Sequence, residues 1–159
     1  YDVKGIKFYD CDFKMKDVAG TSDYSIGIAS YSAGFRVLPL CYVEPCTNYE
    51  KCTFTGFWSG IFATDDMEKT FIVKHAEFTD NIYGIKVDNQ NNFTILNSEF
   101  YIGHNPDKNS TCDAQDKAAA GYGIYSNGST GFAIEQNYFT KNTSAPAGIY
   151  IGIYIANTR

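Results

Sequence analysis

An internal repeat that ends in phenylalanine runs through this chain and limits the folds open to it. Five eight-residue copies align without gaps when that phenylalanine is the anchor. The first position is apolar in all copies but one, the sixth is small, and the eighth is always Phe. The apolar and polar alternation breaks at the small position, which indicates a bend between two short strands. The copies are IKFYDCDF (6–13), TNYEKCTF (47–54), FIVKHAEF (71–78), FTILNSEF (93–100) and FAIEQNYF (132–139).

A Gly-Ile step follows every copy, which supports two short strands per repeat. The anchors at 54, 78 and 100 lie 24 and 22 residues apart, whereas the outer spacings are 41 (13 to 54) and 39 (100 to 139). The unit therefore has about 22 to 24 residues, with insertions near residues 29–46 and 103–120. The steps are Gly27-Ile28, Gly60-Ile61, Gly84-Ile85, Gly123-Ile124 and Gly148-Ile149, with an extra one at Gly152-Ile153.

Repeats of this size cannot bury an apolar face alone and must stack on one another, which predicts an all-β solenoid. Only three leucines occur, too few for leucine-rich repeats, and the period of six of the left-handed β-helix is missing. Stacked copies would place equivalent side chains about 4.8 Å apart. We therefore expect one internal stack to provide most of the stability, formed by Phe13, Phe54, Phe78, Phe100 and Phe139.

The segments 93–100 and 132–139, each followed by Gly-Ile, resemble the right-handed parallel β-helix (pectin-lyase-like) superfamily. Coils of that superfamily commonly read Ile-x-x-Asn-x-Phe and then Gly-Ile. The resemblance implies one domain over residues 1–159, built as a right-handed parallel β-helix of about five coils. The same fold serves pectin-degrading enzymes, phage tailspikes and bacterial surface adhesins, and this chain looks most like secreted bacterial surface proteins. The resemblance therefore implies a fold without fixing a chemistry.

Charge and cysteine content limit the partners and the compartment. The 13 Lys and Arg against 18 Asp and Glu leave no basic stripe for nucleic acid, and no apolar run reaches the length of a membrane span. Five cysteines without zinc-site spacing favour an oxidising, extracellular or cell-surface location. Cys41 and Cys46 bracket a short segment and can close a disulfide loop. Cys11 and Cys52 share the small column, where buried small residues are the expected explanation.

Catalytic chemistry has few candidates in this sequence. A hydrolase of the superfamily that this chain resembles needs carboxylates separated by room for a water molecule. Asp65-Asp66 is the one pair of adjacent acidic residues. A lyase needs carboxylates that hold Ca²⁺ and an Arg or Lys base, for which Lys86 is a candidate on the outer strand face. Neither His75 nor His104 has the sequence neighbours of a catalytic triad. We predict no metal site and no cofactor, with Ca²⁺ entering only through lyase chemistry.

A binding face is predicted from the residue that follows each Gly-Ile step. With the isoleucine pointing inward, this position points outward, and its aromatic members form a platform for sugar rings or a protein partner. The alternative is a solvated face whose tyrosines merely favour strands. The predicted binding residues are Tyr125, Tyr150, Tyr154 and Trp58.

Neither end of the sequence carries a polar or amphipathic cap. We expect the chain to be a segment of a longer protein, or its ends to be covered by further coils or partner subunits. The predicted function is a non-enzymatic structural or adhesion module that binds a polysaccharide or a protein. The first alternative is a fragment of a polysaccharide lyase or hydrolase that uses Asp65, Asp66 or Lys86. The second is a tailspike-like stalk.

Overall fold

A computed structural model describes residues 5–15, 25–42, 46, 48–64, 69–103, 121–145 and 147–158. Every regular element among these residues is a β-strand. Sheet A contains β1 (Ile6–Tyr9), β4 (Phe35–Leu38), β9 (Phe71–Lys74), β12 (Thr94–Leu96) and β15 (Ala133–Glu135). Sheet B contains β2 (Asp12–Lys14), β7 (Thr53–Thr55), β10 (Glu77–Thr79), β13 (Glu99–Ile102) and β16 (Tyr138–Lys141). Sheet C contains β3 (Ile26–Tyr31), β8 (Ser59–Thr64), β11 (Tyr83–Asp88), β14 (Gly121–Asn127) and β17 (Tyr150–Ala156).

The chain passes through sheets A, B and C in turn, so each passage contributes three strands and not the predicted two. Each strand pairs in parallel with the strand of the next passage. The exception is a small antiparallel hairpin, β5 (Leu40–Cys41) with β6 (Tyr49–Glu50), between β4 and β7. The prediction of an all-β chain is confirmed. The stacked sheets form a solenoid-like arrangement that is compatible with a parallel β-helix.

The predicted phenylalanine stack forms the centre of the core. Successive ring centroids along sheet B are 4.7, 4.9, 4.8 and 4.9 Å apart, with ring planes within 11° of parallel. These distances match the spacing of neighbouring strands, because each ring rises from the same register position. Phe54, Phe78 and Phe100 are almost fully buried. We call this column, Phe13 to Phe139, the sheet B ladder.

A second ladder in sheet A corrects the repeat alignment. In the second repeat, Phe35 and Val37 occupy the first and third positions, where the alignment had placed Thr47 and Tyr49. The Phe35 ring stacks 5.0 Å from that of Phe71. The alignment was wrong because the hairpin β5–β6 separates β4 from β7, so the column is continuous in space and interrupted in sequence. Strands β3 and β4 also occupy part of the predicted first insertion, so the extra residues begin after β4.

Glycines in sheet C allow the sheet B ladder to approach closely. A Cβ added at Gly84 would lie 2.6 Å from the Gly123 carbonyl oxygen and 2.7 Å from the Phe100 ring. Packing therefore requires glycine at the Gly-Ile steps that have a further strand beside them, Gly27, Gly60, Gly84 and Gly123. The last step in register is Gly152-Ile153, since Ile153 pairs with Ile124, and not the predicted Gly148-Ile149.

Corners between sheets A and B explain the small sixth position of the repeat. The preceding residue has a positive φ, between 47° and 55°, at Asp10, His75, Asn97 and Gln136. The backbone N–H of Ala76 then donates to the Ser98 hydroxyl at 3.2 Å. The N–H of Ser98 donates in the same way to the Asn137 side-chain oxygen at 2.9 Å. Polar side chains at this position thus accept a hydrogen bond from the backbone N–H at the same position of the preceding repeat.

Candidate functional site

The outer face of sheet C carries a column of side chains in register. Ala29, Phe62, Lys86, Tyr125 and Tyr154 occupy equivalent positions on neighbouring strands. The last two are predicted binding residues, and the structure places them side by side.

Tyr150, also a predicted binding residue, lies elsewhere. It pairs with Gly121 and packs against the main core. The Lys141 ammonium lies 5.0 Å from the centre of its ring. The reason is the register of the last Gly-Ile step, which assigns the outward position to Tyr154.

A second row of aromatic residues backs this column. Trp58, Tyr83 and Tyr122 are buried in a cluster separate from the main core, and Tyr125 packs against them. Trp58 meets Tyr83 edge to face at 5.3 Å, and Tyr83 stacks on Tyr122 at 5.1 Å. Trp58 is only 8% exposed, so it supports the face from beneath. We call the following set of contacting rings the outer aromatic cluster: Tyr31, Trp58, Phe62, Tyr83, Tyr122, Tyr125 and Tyr154.

Lys86 is held inside the outer aromatic cluster by three rings. Its ammonium nitrogen lies 4.7 Å from the centre of Trp58, 5.0 Å from Tyr83 and 5.6 Å from Tyr125. Each such contact is worth about 0.5 to 2 kcal/mol, depending on how far the cation is desolvated. The arrangement keeps a positive charge at a fixed point on an aromatic surface.

Ring orientation determines which aromatic surfaces a ligand can reach. Tyr125 and Tyr154 stack in parallel at 5.0 Å, so one face of Tyr125 is covered by its neighbour, while Lys86 lies over the ring as well. Tyr154, on the edge strand β17, is 40% exposed. At the opposite edge Tyr31 is 65% exposed and meets Phe62 edge to face at 5.8 Å. The accessible rings thus lie at the two edges of sheet C.

A cluster of titratable side chains on sheet B was not predicted from the sequence. The Lys51 ammonium donates a hydrogen bond to one Glu99 oxygen at 2.5 Å, and the Tyr101 hydroxyl donates to the other at 3.1 Å. His75 packs against the Tyr49 ring at 4.3 Å. Lys51 and Glu99 are 48 residues apart in sequence, which hid the pair. The available signal was the Glu-Phe dipeptide that two neighbouring repeats share at the same position.

The opposite charges of Lys51 and Glu99 stabilise each other, and we call this pair the ionic brace. The hydrogen bond from Lys51 lowers the pKa of Glu99, although burial opposes the shift. Burial lowers the pKa of Lys51, but the hydrogen bond and charge of Glu99 outweigh it and raise that pKa overall. Burial, followed by the charges of Lys51 and Lys74, lowers the pKa of His75. At neutral pH the pair is therefore charged and the imidazole neutral.

The described cysteines form two groups. Cys41 and Cys46 are joined by a disulfide with their Cα atoms 5.8 Å apart. Cys11 and Cys52 are free thiols at the same column position on neighbouring repeats. Cys112 lies outside the described residues.

The remaining candidates predicted from the sequence, Asp65, Asp66 and His104, fall outside the part of the chain that the structure describes. Within the described ranges, no three His, Cys, Asp or Glu side chains are grouped so that they could hold a metal ion. The same ranges contain no helix with the length and apolar character needed to cross a membrane.

Comparisons with models of protein families, with curated proteins and with solved structures return no match. The function of this chain is therefore inferred from its own residues.

Proposed function

We propose that this chain is a non-enzymatic structural and adhesion module of a secreted or cell-surface protein, and that its outer aromatic cluster binds a polysaccharide. The fold proposed for it is a right-handed parallel β-helix of five coils, similar to the pectin-lyase-like superfamily. The three five-stranded parallel sheets are compatible with that fold. Right-handedness is expected because about 98% of parallel crossover connections have that hand.

The observation that carries the binding proposal is the prepacked outer aromatic cluster. Its inner rings, Trp58 and Tyr83, are buried and cannot change rotamer without disturbing their neighbours. Tyr154 and Tyr31, at the edges, are therefore presented on a rigid support. A rigid amphipathic ring loses little conformational freedom when a ligand binds, so it is an efficient anchor for a sugar ring. Lys86 adds one fixed positive charge.

The structural part of the proposal rests on the edge strands. Ile153 occupies the same column as Ile124, yet it is 41% exposed while Ile124 is fully buried. The difference arises because β17 has a paired strand on one side only. Further coils of the same protein, or a partner subunit, are proposed to pair with such edges, and pairing along β17 would compete with a polysaccharide for Tyr154.

Binding is tested with the purified chain on an array of polysaccharides. Tyr154→Ala and Tyr31→Ala are compared with Tyr138→Ala, a matched control that removes a 57% exposed ring on sheet B. Either edge variant is expected to weaken binding about tenfold or more, and the control to leave it unchanged. An array without binding, or equal losses in all three variants, would refute the polysaccharide assignment.

The enzyme alternative is tested in the same preparation. Turnover of pectin, alginate or another polymer of uronic acids would overturn the non-enzymatic proposal. If such turnover were lost on combined alanine substitution of Asp65, Asp66 and Lys86, those residues would carry it.

A further inference from the structure

Two free cysteines lie side by side at the start of two neighbouring parallel strands, near one corner of the fold. Asp12 pairs in register with Thr53, so the preceding residues, Cys11 and Cys52, share one column position. The Thr53 N–H donates to the Cys11 carbonyl at 2.9 Å. The Cys11 N–H in turn approaches the Cys52 sulfur at 3.5 Å. Both backbone segments are therefore held in place beside the two thiols.

The spacing of these positions suits a covalent bond. Neighbouring strands lie about 4.7 to 4.9 Å apart, and disulfides join residues whose Cα atoms are about 4.4 to 6.8 Å apart. In parallel strands both Cβ atoms point the same way and lie about as far apart as the Cα atoms, whereas a disulfide needs them about 3.8 Å apart, so the corner has to close by about 1 Å to bring the sulfurs together. No such bond is available to the equivalent pair Ala76 and Ser98, which occupies the same column two strands further along.

The chain already contains an oxidised pair close to this corner. Tyr42 lies within the loop closed by Cys41 and Cys46, and its hydroxyl contacts the Asp10 carboxylate at 3.4 Å. Asp10 is the residue immediately before Cys11. The conditions that produce one disulfide thus act on the Cys11 and Cys52 thiols at a neighbouring point of the fold.

We propose that Cys11 and Cys52 form a second disulfide when the folded chain meets a low-molecular-weight disulfide such as oxidised glutathione. Cys11, the more accessible thiol, first attacks the glutathione disulfide as its thiolate, which forms a mixed disulfide and releases one glutathione thiolate. The Cys52 thiolate then attacks the Cys11 sulfur, and the second glutathione leaves as a thiolate that takes up a proton. Overall, two cysteine thiols are oxidised and one glutathione disulfide is reduced to two thiols.

The closing step has a predictable pH dependence. Burial raises the pKa of the Cys52 thiol to about 11, although the N–H of Cys11 opposes the shift. Below that pH the thiolate fraction rises about tenfold for each pH unit. The second step should therefore still quicken several-fold between pH 9 and pH 10, whereas a reaction at a freely exposed thiol has levelled off there, above its ordinary pKa of about 8.5.

The experiment treats the folded chain carrying Cys112→Ser, so that Cys112 cannot retain a glutathione, with oxidised glutathione and follows its intact mass. Loss of about 2 Da without a retained glutathione, and one peptide that links Cys11 to Cys52 after non-reducing digestion, is the expected result. Cys52→Ser should stop at the mixed disulfide on Cys11, and Cys11→Ser should not react at Cys52. The unsubstituted chain should close the same bond, and the digest separates any glutathione retained on Cys112 from one retained on Cys11.

Stability provides a second readout. The new bond closes a loop of about 40 residues, which should raise the melting temperature by about 10 °C. A stable glutathione adduct on Cys11 in the unsubstituted chain would overturn the proposal. So would cross-linking that requires denaturant, since the geometry must then come from the unfolded chain.

Discussion

Removal of one ring from the middle of the sheet B ladder should cost far more stability than removal of the ring at its end. Phe78 is 2% exposed and stacks on two neighbours, Phe54 at 4.9 Å and Phe100 at 4.8 Å. Phe139 lies in an edge strand, is only partly buried, and stacks on Phe100 alone at 4.9 Å. The two positions are chemically identical and differ in how many neighbours cover them.

The expected magnitudes follow from burial and ring contacts. A fully buried Phe→Ala change costs about 3 to 5 kcal/mol, of which each lost ring pair contributes about 0.5 to 1.5. Phe78→Ala loses two pairs and leaves an enclosed cavity, so its free energy of unfolding should fall by about 4 kcal/mol. Phe139→Ala loses one pair and less buried area, and about 2 kcal/mol is expected. The difference corresponds to about a thirtyfold change in the unfolding equilibrium constant.

Urea unfolding monitored by circular dichroism and by fluorescence of Trp58, the single tryptophan, measures both losses. Agreement of the two probes would show that one transition is observed. Equal losses for Phe78→Ala and Phe139→Ala would show that the stability contributed by a ring does not depend on its burial or on the number of rings stacked on it.

Three further predictions concern packing, charge and buried polarity. Gly84→Ala should cost about 3 kcal/mol or more because its Cβ would overlap a carbonyl and a ring, whereas Gly152→Ala, whose nearest neighbour is 3.4 Å away, should cost under about 0.5 in the same urea assay. Glu99→Gln should lower the free energy of unfolding by about 0.5 kcal/mol at pH 7 and leave it unchanged at pH 2. The reason is that the pKa of Glu99 is lowered in the folded chain, so its charge stabilises the fold at pH values above the ordinary pKa, and that contribution disappears as the pH falls through the folded pKa. Lys51→Met should have the same effect, and a loss that persists at pH 2 would contradict the ionic brace. Asn81→Leu should cost about 3 kcal/mol, since the Asn81 side chain makes two 2.8 Å bonds to buried backbone groups; native-state hydrogen exchange there should accelerate, and unchanged exchange would contradict the role.

The sequence was sufficient for the features that repeat at equivalent positions. The sheet B ladder was predicted because every copy ends in Phe, and strand spacing then fixes how those rings meet. The outward column through Tyr125 followed from the Gly-Ile step in the same way, except at its end, where the two successive steps led to Tyr150 as well as Tyr154 and the register selects Tyr154. These features depend on one local pattern, so a shift elsewhere in the chain does not disturb them.

Features that depend on how distant segments meet in space were missed in the sequence analysis. Phe35 belongs to the sheet A column, but the hairpin after β4 places it 19 residues before its partner Phe54 in the repeat, whereas Phe71 precedes Phe78 by 7. The second aromatic row was visible in the shared Tyr-Gly-Ile at Tyr83 and Tyr122, a signal that the Gly-Ile step alone does not carry. The Lys51 to Glu99 pair depends on one long side chain that crosses an intervening strand.

The in-register columns also bear on how a protein of this kind can change length. In the sheet B ladder, each passage of the chain presents to the next the same ring that it meets in the previous one. A gene segment encoding one unit of about 22 to 24 residues can therefore be duplicated or deleted while the remaining rings of the ladder keep equivalent partners. Recombination by whole units would lengthen or shorten the molecule in steps of one strand spacing, and corner loops would be free to diversify between them.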